Sequence, residues 1–375
     1  MKPKGATLAG NTHKIDGTPW RSLAASIFAC GFLGLYFTEK INSSVTLAVI
    51  GAAVLLCACV FSAVHHAEVL ALKVGEPYGS IILALAVTVI EAALIISQMS
   101  SGQAGAEVIG RDTVYSAILI VINGVVGLCL IVGGMRHHEQ VFKLDGATAA
   151  LSVLATLATL ALILPNYTIS VVGPSYSATQ LAFVGVVSLV LYGVFVFVQT
   201  VRHRDYFILS DANVETSSAE IKPSKRTTII NLVLLPVTLV LVVALAKFLS
   251  GPIFSMVVAA GLPAAFVGVI IALLVLLPEG IAAVRAAALD NVQTSLNLAL
   301  GSAIATIGLT IPALAFYSIW RGQNLIIGVS PIATALLALS IFVGSVTLAT
   351  GRTTILQGAV HLVIFAVFLF LSAVP

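Results

Sequence analysis

Leu83-Ala84-Leu85-Ala86-Val87-Thr88-Val89-Ile90-Glu91 and Ile271-Ala272-Leu273-Leu274-Val275-Leu276-Leu277-Pro278-Glu279 are two apolar stretches that each close on a single acid. They align without gaps at an offset of 188 residues, from 91 to 279. The apolar matches carry little information, because any two membrane helices share them, and the shared Glu carries the weight. A charged side chain at the centre of a hydrocarbon layer costs about 2.5–3.5 kcal/mol on insertion scales. A chain that meets this cost twice, at matched positions, has a use for both acids.

Each stretch lies inside a longer apolar run. About 20 residues at 1.5 Å rise cross a bilayer core, and eleven runs approach or meet that length: 22–38, 45–65, 79–99, 114–134, 147–165, 180–200, 230–250, 264–285, 293–316, 325–347 and 355–373. The first is short and is expected to tilt or lie shallow. With 59% hydrophobic and 9% charged residues and a mean hydropathy of +1.11, the chain has far too little polar surface for a soluble fold. The expected class is all-α: a polytopic membrane protein of about 11 transmembrane helices. The two acids sit five helices apart, so their helices cross the membrane in opposite directions. This is the plan of inverted-topology repeats, here one helix plus five plus five. The divisions it predicts are a basic N-terminal tail with a leading helix (1–44), a first repeat (45–200), a linker (201–229) and a second repeat (230–375).

Alternating sides at each helix sends 14 of the 18 Lys and Arg residues to one face, hereafter the basic face. Lys73, Arg136, Lys143, Arg202, Lys225, Arg285 and Arg352 are among them, while Lys40, Arg111, Lys247 and Arg321 fall to the other face. By the positive-inside rule the N-terminus and the linker are cytoplasmic and the C-terminus is outside, as in a multi-pass protein of the plasma (bacterial inner) membrane. A net charge of +3 distributed this way indicates no nucleic-acid partner. Cys30, Cys57, Cys59 and Cys129 all lie in apolar runs and read as small core residues. The apolar run after Arg21 continues to Phe37 without a cleavage signal, so it reads as a retained helix.

Two buried acids suit exchange chemistry. Desolvation favours a protonated carboxyl and a bound cation favours an ionised one, so a paired site holds protons or a metal ion. Calcium takes six to eight oxygen ligands, carboxylate and carbonyl oxygens included. Glu91 and Glu279 supply the charge. Thr88, one turn before Glu91, and Asn123, Ser302 and Thr306, on the helices that follow each acid, are candidate ligands or site-lining groups. Pro278 removes a backbone donor and frees a carbonyl beside Glu279. Glu76, His65 and His66 are placed at the cytoplasmic mouth between the second and third helices, and Asp112 at the far end of the fourth. These are candidate entry or gating groups, with ordinary interfacial placement as the plainer reading. His361, deep in the last run, reads as a packing histidine.

The motifs resemble those of a known family. Gly75-Glu76-Pro77-Tyr78-Gly79-Ser80 running into Glu91 is similar to the first signature of bacterial calcium/proton antiporters of the ChaA type. Pro278-Glu279-Gly280 through Gly301-Ser302 is similar to the second, and Thr350-Gly351-Arg352-Thr353 with Gly358-Ala359-Val360-His361-Leu362 to the C-terminal end. The family belongs to the cation/calcium exchanger superfamily. The resemblance implies two repeats that each give one Glu to a shared ion site. Many members carry an Asn three residues before the acid; here Thr88 and Leu276 stand there.

The function expected is secondary antiport by alternating access, exporting Ca2+, with Na+ or K+ as alternatives, against H+. It requires no cofactor. Its partners are inorganic cations, protons and the lipid bilayer, and a homo-oligomer is not implied. A passive cation channel is the alternative, although a pore has no need of inverted symmetry. A membrane enzyme is disfavoured by the lack of a nucleophile-and-base pair, of His-x-x-x-His spacing and of a nucleotide loop.

Overall fold

A computed structural model describes residues 20–38, 46–75, 78–100, 105–207 and 223–375. Eleven helical rods account for nearly all of it. They are α1 (Trp20–Phe37), α2 (Thr46–Val74), α3 (Tyr78–Met99), α4 (Ala106–His137), α5 (Leu144–Tyr167), α6 (Ala178–Arg202), α7 (Lys225–Ala259), α8 (Phe266–Ala288), α9 (Val292–Arg321), α10 (Pro331–Leu348) and α11 (Ile355–Ala373). Ten are long and apolar enough to span a membrane, and α1, apolar over Ser22–Phe37, falls short of that length. The polytopic helical architecture read from the sequence is therefore present. A minor departure from an all-helical chain is an antiparallel ribbon of β1 (Gln140–Val141) and β2 (Arg352–Thr353), which ties the α4–α5 and α10–α11 connections together at the basic face.

Local chemistry sets several helix starts. Ser177 with Gln180 and Thr354 with Gln357 form capping boxes at α6 and α11. Ser330, followed by Pro331, caps α10, and Ser224 caps α7. The hydroxyls of Ser177, Ser224 and Ser330 each accept from a main-chain N–H that has no partner inside the helix. Gly322 ends α9 in the left-handed conformation, at φ 63°, where a side chain would be strained.

The helix ends differ from the apolar runs where polar residues find partners inside the bundle. The run expected to stop at residue 65 continues to Val74, so His65 and His66 lie within α2 and not in a loop at its mouth. His66 is fully buried. Its ring nitrogens meet Ser22 Oγ at 3.0 Å and Asn231 Oδ1 at 2.5 Å, which joins α1, α2 and α7. Ser26 and Thr238 add a second link, 3.3 Å long, between α1 and α7. Hydropathy counts such residues as polar; once hydrogen-bonded between helices they no longer end a span. Likewise, Cys30 is exposed on α1 and does not join the core. Glu76 and residues 208–222 of the linker lie outside the described residues.

Two apolar clusters hold the bundle. One joins α1, α2 and α7 with faces of α3 and α8; the larger joins α4, α5, α6, α9 and parts of α3, α8, α10 and α11. Glycine permits the closest crossings. A Cβ at Gly268 on α8 would lie 2.8 Å from the Thr113 nitrogen on α4, and one at Gly358 on α11 would lie 2.8 Å from the Gly127 carbonyl on α4. Without a hydrophobic force between helices in lipid, such backbone approach supplies much of the packing energy. The exposed apolar faces, for instance Phe183, Val186, Val190 and Val194 on α6, are those that meet hydrocarbon.

Candidate functional site

The pairing of Glu91 and Glu279 follows from equivalent helix geometry. Each is thirteen residues past the first residue of its helix, 78 to 91 in α3 and 266 to 279 in α8, which at 1.5 Å rise is about 20 Å into the span. The next helix in each half carries a π-turn, Ile120–Val125 in α4 and Thr306–Thr310 in α9. A π-turn is rare, widens the helix and is concentrated at functional sites.

The two carboxyls stand within electrostatic reach of one another, with Glu68 of α2 also within range of Glu279. Their surroundings differ. Glu91 is 1% exposed, and its Oε2 accepts a hydrogen bond from Thr310 Oγ1 at 2.9 Å, with Thr306 beside the same carboxyl. Glu279 borders a cavity of ≈ 230 Å³, and its Oε2 is buried with no hydrogen-bond partner. That cavity passes from Gln199, Thr294 and Asn297, near the basic-face ends of α6 and α9, to Thr88, Ser302, Thr306 and Glu279. Its wall thus brings together four of the six predicted cation- and proton-binding residues, with Glu91 reached through Thr306.

Asn123 is placed elsewhere. Its Nδ2 donates to Ser340 Oγ at 2.7 Å and its Oδ1 lies 3.1 Å from His361 Nδ1, while His361 Nε2 meets Thr347 Oγ1 at 3.1 Å. This network fastens the α4 π-turn to α10 and α11, and in it His361 is a satisfied buried histidine, as expected. Asp112 lies toward the opposite face, on a separate cavity of ≈ 280 Å³. Its Oδ1 accepts from Arg111 Nε at 2.7 Å. Among the described residues no three His, Cys, Asp or Glu side chains are placed to hold a metal ion together. A cation held by Glu91 and Glu279 would therefore complete its shell from hydroxyl, carbonyl or water oxygens.

Thr310 was not anticipated. The available signal was spacing: Ser302, Thr306 and Thr310 recur every four residues and share one helix face, but the last falls among apolar neighbours and reads as packing.

Residues 44–201 and 230–374 match the sodium/calcium exchanger protein family, one segment on each side of the linker. A protein of Sinorhizobium fredii, y4hA, named as an ionic transporter, is 50% identical over 357 residues, covering 95% of this chain and 97% of the relative. The sodium-potassium/proton antiporter ChaA of Escherichia coli is 35% identical over 311 residues, 82% of this chain and 84% of ChaA. A Ca2+/H+ antiporter of Aphanothece halophytica is 26% identical over 330 residues, 82% of this chain and 86% of that protein. The solved structure of YfkE superposes with a TM-score of 0.72 at 15% identity, covering 96% of this chain and all (100%) of YfkE, and so shares the fold. These relatives are ion transporters and not enzymes, and the chain belongs with them to the sodium/calcium exchanger protein family.

Proposed function

We propose that this chain is a secondary antiporter that exports a cation in exchange for protons by alternating access, with Glu91 and Glu279 holding either the cation or protons. The observation that carries the reading is the pairing of two carboxyls on α3 and α8, one of them with an unpartnered oxygen beside a cavity that Thr88, Ser302 and Thr306 also line. A buried carboxylate without a counter-charge is costly; a cation or a proton removes that cost, and neither is accommodated well with the other present. Thr88, Ser302 and Thr306 supply hydroxyl oxygens to the same site, and Asn123 supports the α4 π-turn behind it. The two repeats, 45–200 and 230–375, are proposed as the halves that rock about this site; the two separate family matches support that division. The bias of basic residues supports a cytoplasmic N-terminus, which makes the cavity the cytoplasmic entrance.

Calcium is the leading substrate, because two carboxylates and several neutral oxygens suit a hard divalent ion. A second reading, Na+ or K+, is favoured by the 35% identity to ChaA, named a sodium-potassium/proton antiporter. The test is cation uptake into everted vesicles under an imposed proton gradient, for wild type, Glu91→Gln and Glu279→Gln, with Ca2+, Na+ and K+ in turn. Gradient-dependent uptake that fails in both variants is expected. Uptake that survives collapse of the gradient would instead indicate a channel, and near-normal exchange in either variant would remove that residue from the site.

A further inference from the structure

Threonines buried in helices ordinarily return their hydroxyl proton to the carbonyl four residues back. In this chain buried Thr88 and Thr238 do so, and half-buried Thr148 and Thr200 as well, bonding Ala84, Leu234, Leu144 and Val196 at 2.6–2.8 Å. Thr310 differs from these. It ends the α9 π-turn, is fully buried, and directs its proton across to Glu91 Oε2 at 2.9 Å. The bond therefore links the second half of the chain to the carboxylate of the first. Glu279 has no such donor on its buried Oε2. Two acids that are equivalent in sequence are thus unequal in their surroundings.

We propose that Thr310 is a positioning residue that holds the Glu91 carboxylate in the orientation that receives the cation. The proposal rests on the antiport reading above. A hydroxyl both donates and accepts. Toward an ionised Glu91 it donates, forming a charge-assisted bond that fixes one carboxylate rotamer for the arriving cation. Such a bond is stronger than one between neutral groups, so Thr310 keeps the Glu91 oxygens in place for the arriving cation. Glu279, whose Oε2 has no partner and lies beside the cavity, is the acid a cation meets first, and Glu91 completes its capture.

The experiment compares wild type, Thr310→Val and Thr310→Ser in proteoliposomes, measuring 45Ca2+ and 22Na+ uptake against pH and cation concentration. Valine keeps the volume and the β-branch; serine keeps the hydroxyl. Thr310→Val is expected to raise the half-saturating cation concentration roughly three- to tenfold at fixed pH while the maximal rate changes less. Thr310→Ser is expected to restore it. An unchanged half-saturating concentration in Thr310→Val overturns the proposal, as does an equal loss in both variants, which would mark a packing role. Proton release on adding Ca2+ or Na+ to the purified proteins, read with a pH indicator, gives the same comparison without transport. Absence of gradient-driven uptake in wild type would overturn the antiport reading instead, while an unchanged release profile between wild type and Thr310→Val would overturn the role of Thr310 alone.

Discussion

Replacing His66 by Ala removes the junction of three helices at once. His66 is fully buried and bonded to Ser22 at 3.0 Å and to Asn231 at 2.5 Å. Asn231 Nδ2 keeps its bond to the Thr227 carbonyl at 2.8 Å, so the loss falls on Asn231 Oδ1 and Ser22 Oγ, both left inside protein. Hydrogen bonds between membrane helices average about 0.6 kcal/mol by double-mutant cycles, with a maximum of about 1.7. Two lost bonds, with an imidazole-sized void, give an expected destabilisation of about 2–3 kcal/mol. The assay is thermal or denaturant unfolding of purified protein in detergent, for His66→Ala, Asn231→Ala and the double variant. Because the residues share one bond, the double variant should cost less than the two single losses added, with a coupling of about 0.5–1.5 kcal/mol. Additive losses would refute the network, and so would a His66→Ala protein as stable as wild type. A stable protein with α1 still docked would instead show that the leading helix is held by apolar contact alone.

Two further outcomes follow from packing and surface chemistry. Gly268→Val places a side chain where a Cβ alone would lie 2.8 Å from the Thr113 nitrogen and 2.9 Å from the Asp112 carbonyl carbon; the α4–α8 crossing must widen, at a cost of about 1–3 kcal/mol, and exchange should fall with stability in the same preparations. Arg352→Ala removes an ion pair of 3.3 Å to Glu139 whose side chains are 68% and 49% exposed; solvent screening limits its effect to less than about 0.5 kcal/mol, and a larger shift in unfolding midpoint would mean that the ribbon at the basic face depends on the pair.

The legible parts of this molecule are those that depend on one-dimensional chemistry. Apolar length set the number of helices, because lipid cannot hydrogen-bond a bare backbone. The scarcity of charge made Glu91 and Glu279 conspicuous, and their offset of 188 residues implied equivalent positions. Helix ends were less legible: α2 passes through His65, His66 and Glu68 to Val74, since a polar side chain ends a span only if nothing in the bundle satisfies it. Asn123 shows the same limit from the other side. In the sequence it is a plausible ligand; in the structure its amide is bonded to Ser340 and His361, 217 and 238 residues away.

By itself the sequence determined that this chain spans a membrane as a set of helices, that two apolar stretches carry an acid at matched positions, and which face its basic residues mark. Those properties follow from solvation, which acts on each residue or segment according to its own chemistry. Only the tertiary structure decided that Glu91 is held by Thr310 while Glu279 keeps a bare oxygen beside the cavity, and that His66 joins three helices. Such distinctions depend on which side chain from a distant helix arrives within about 3 Å, and distance across a bundle is not written in the order of the chain.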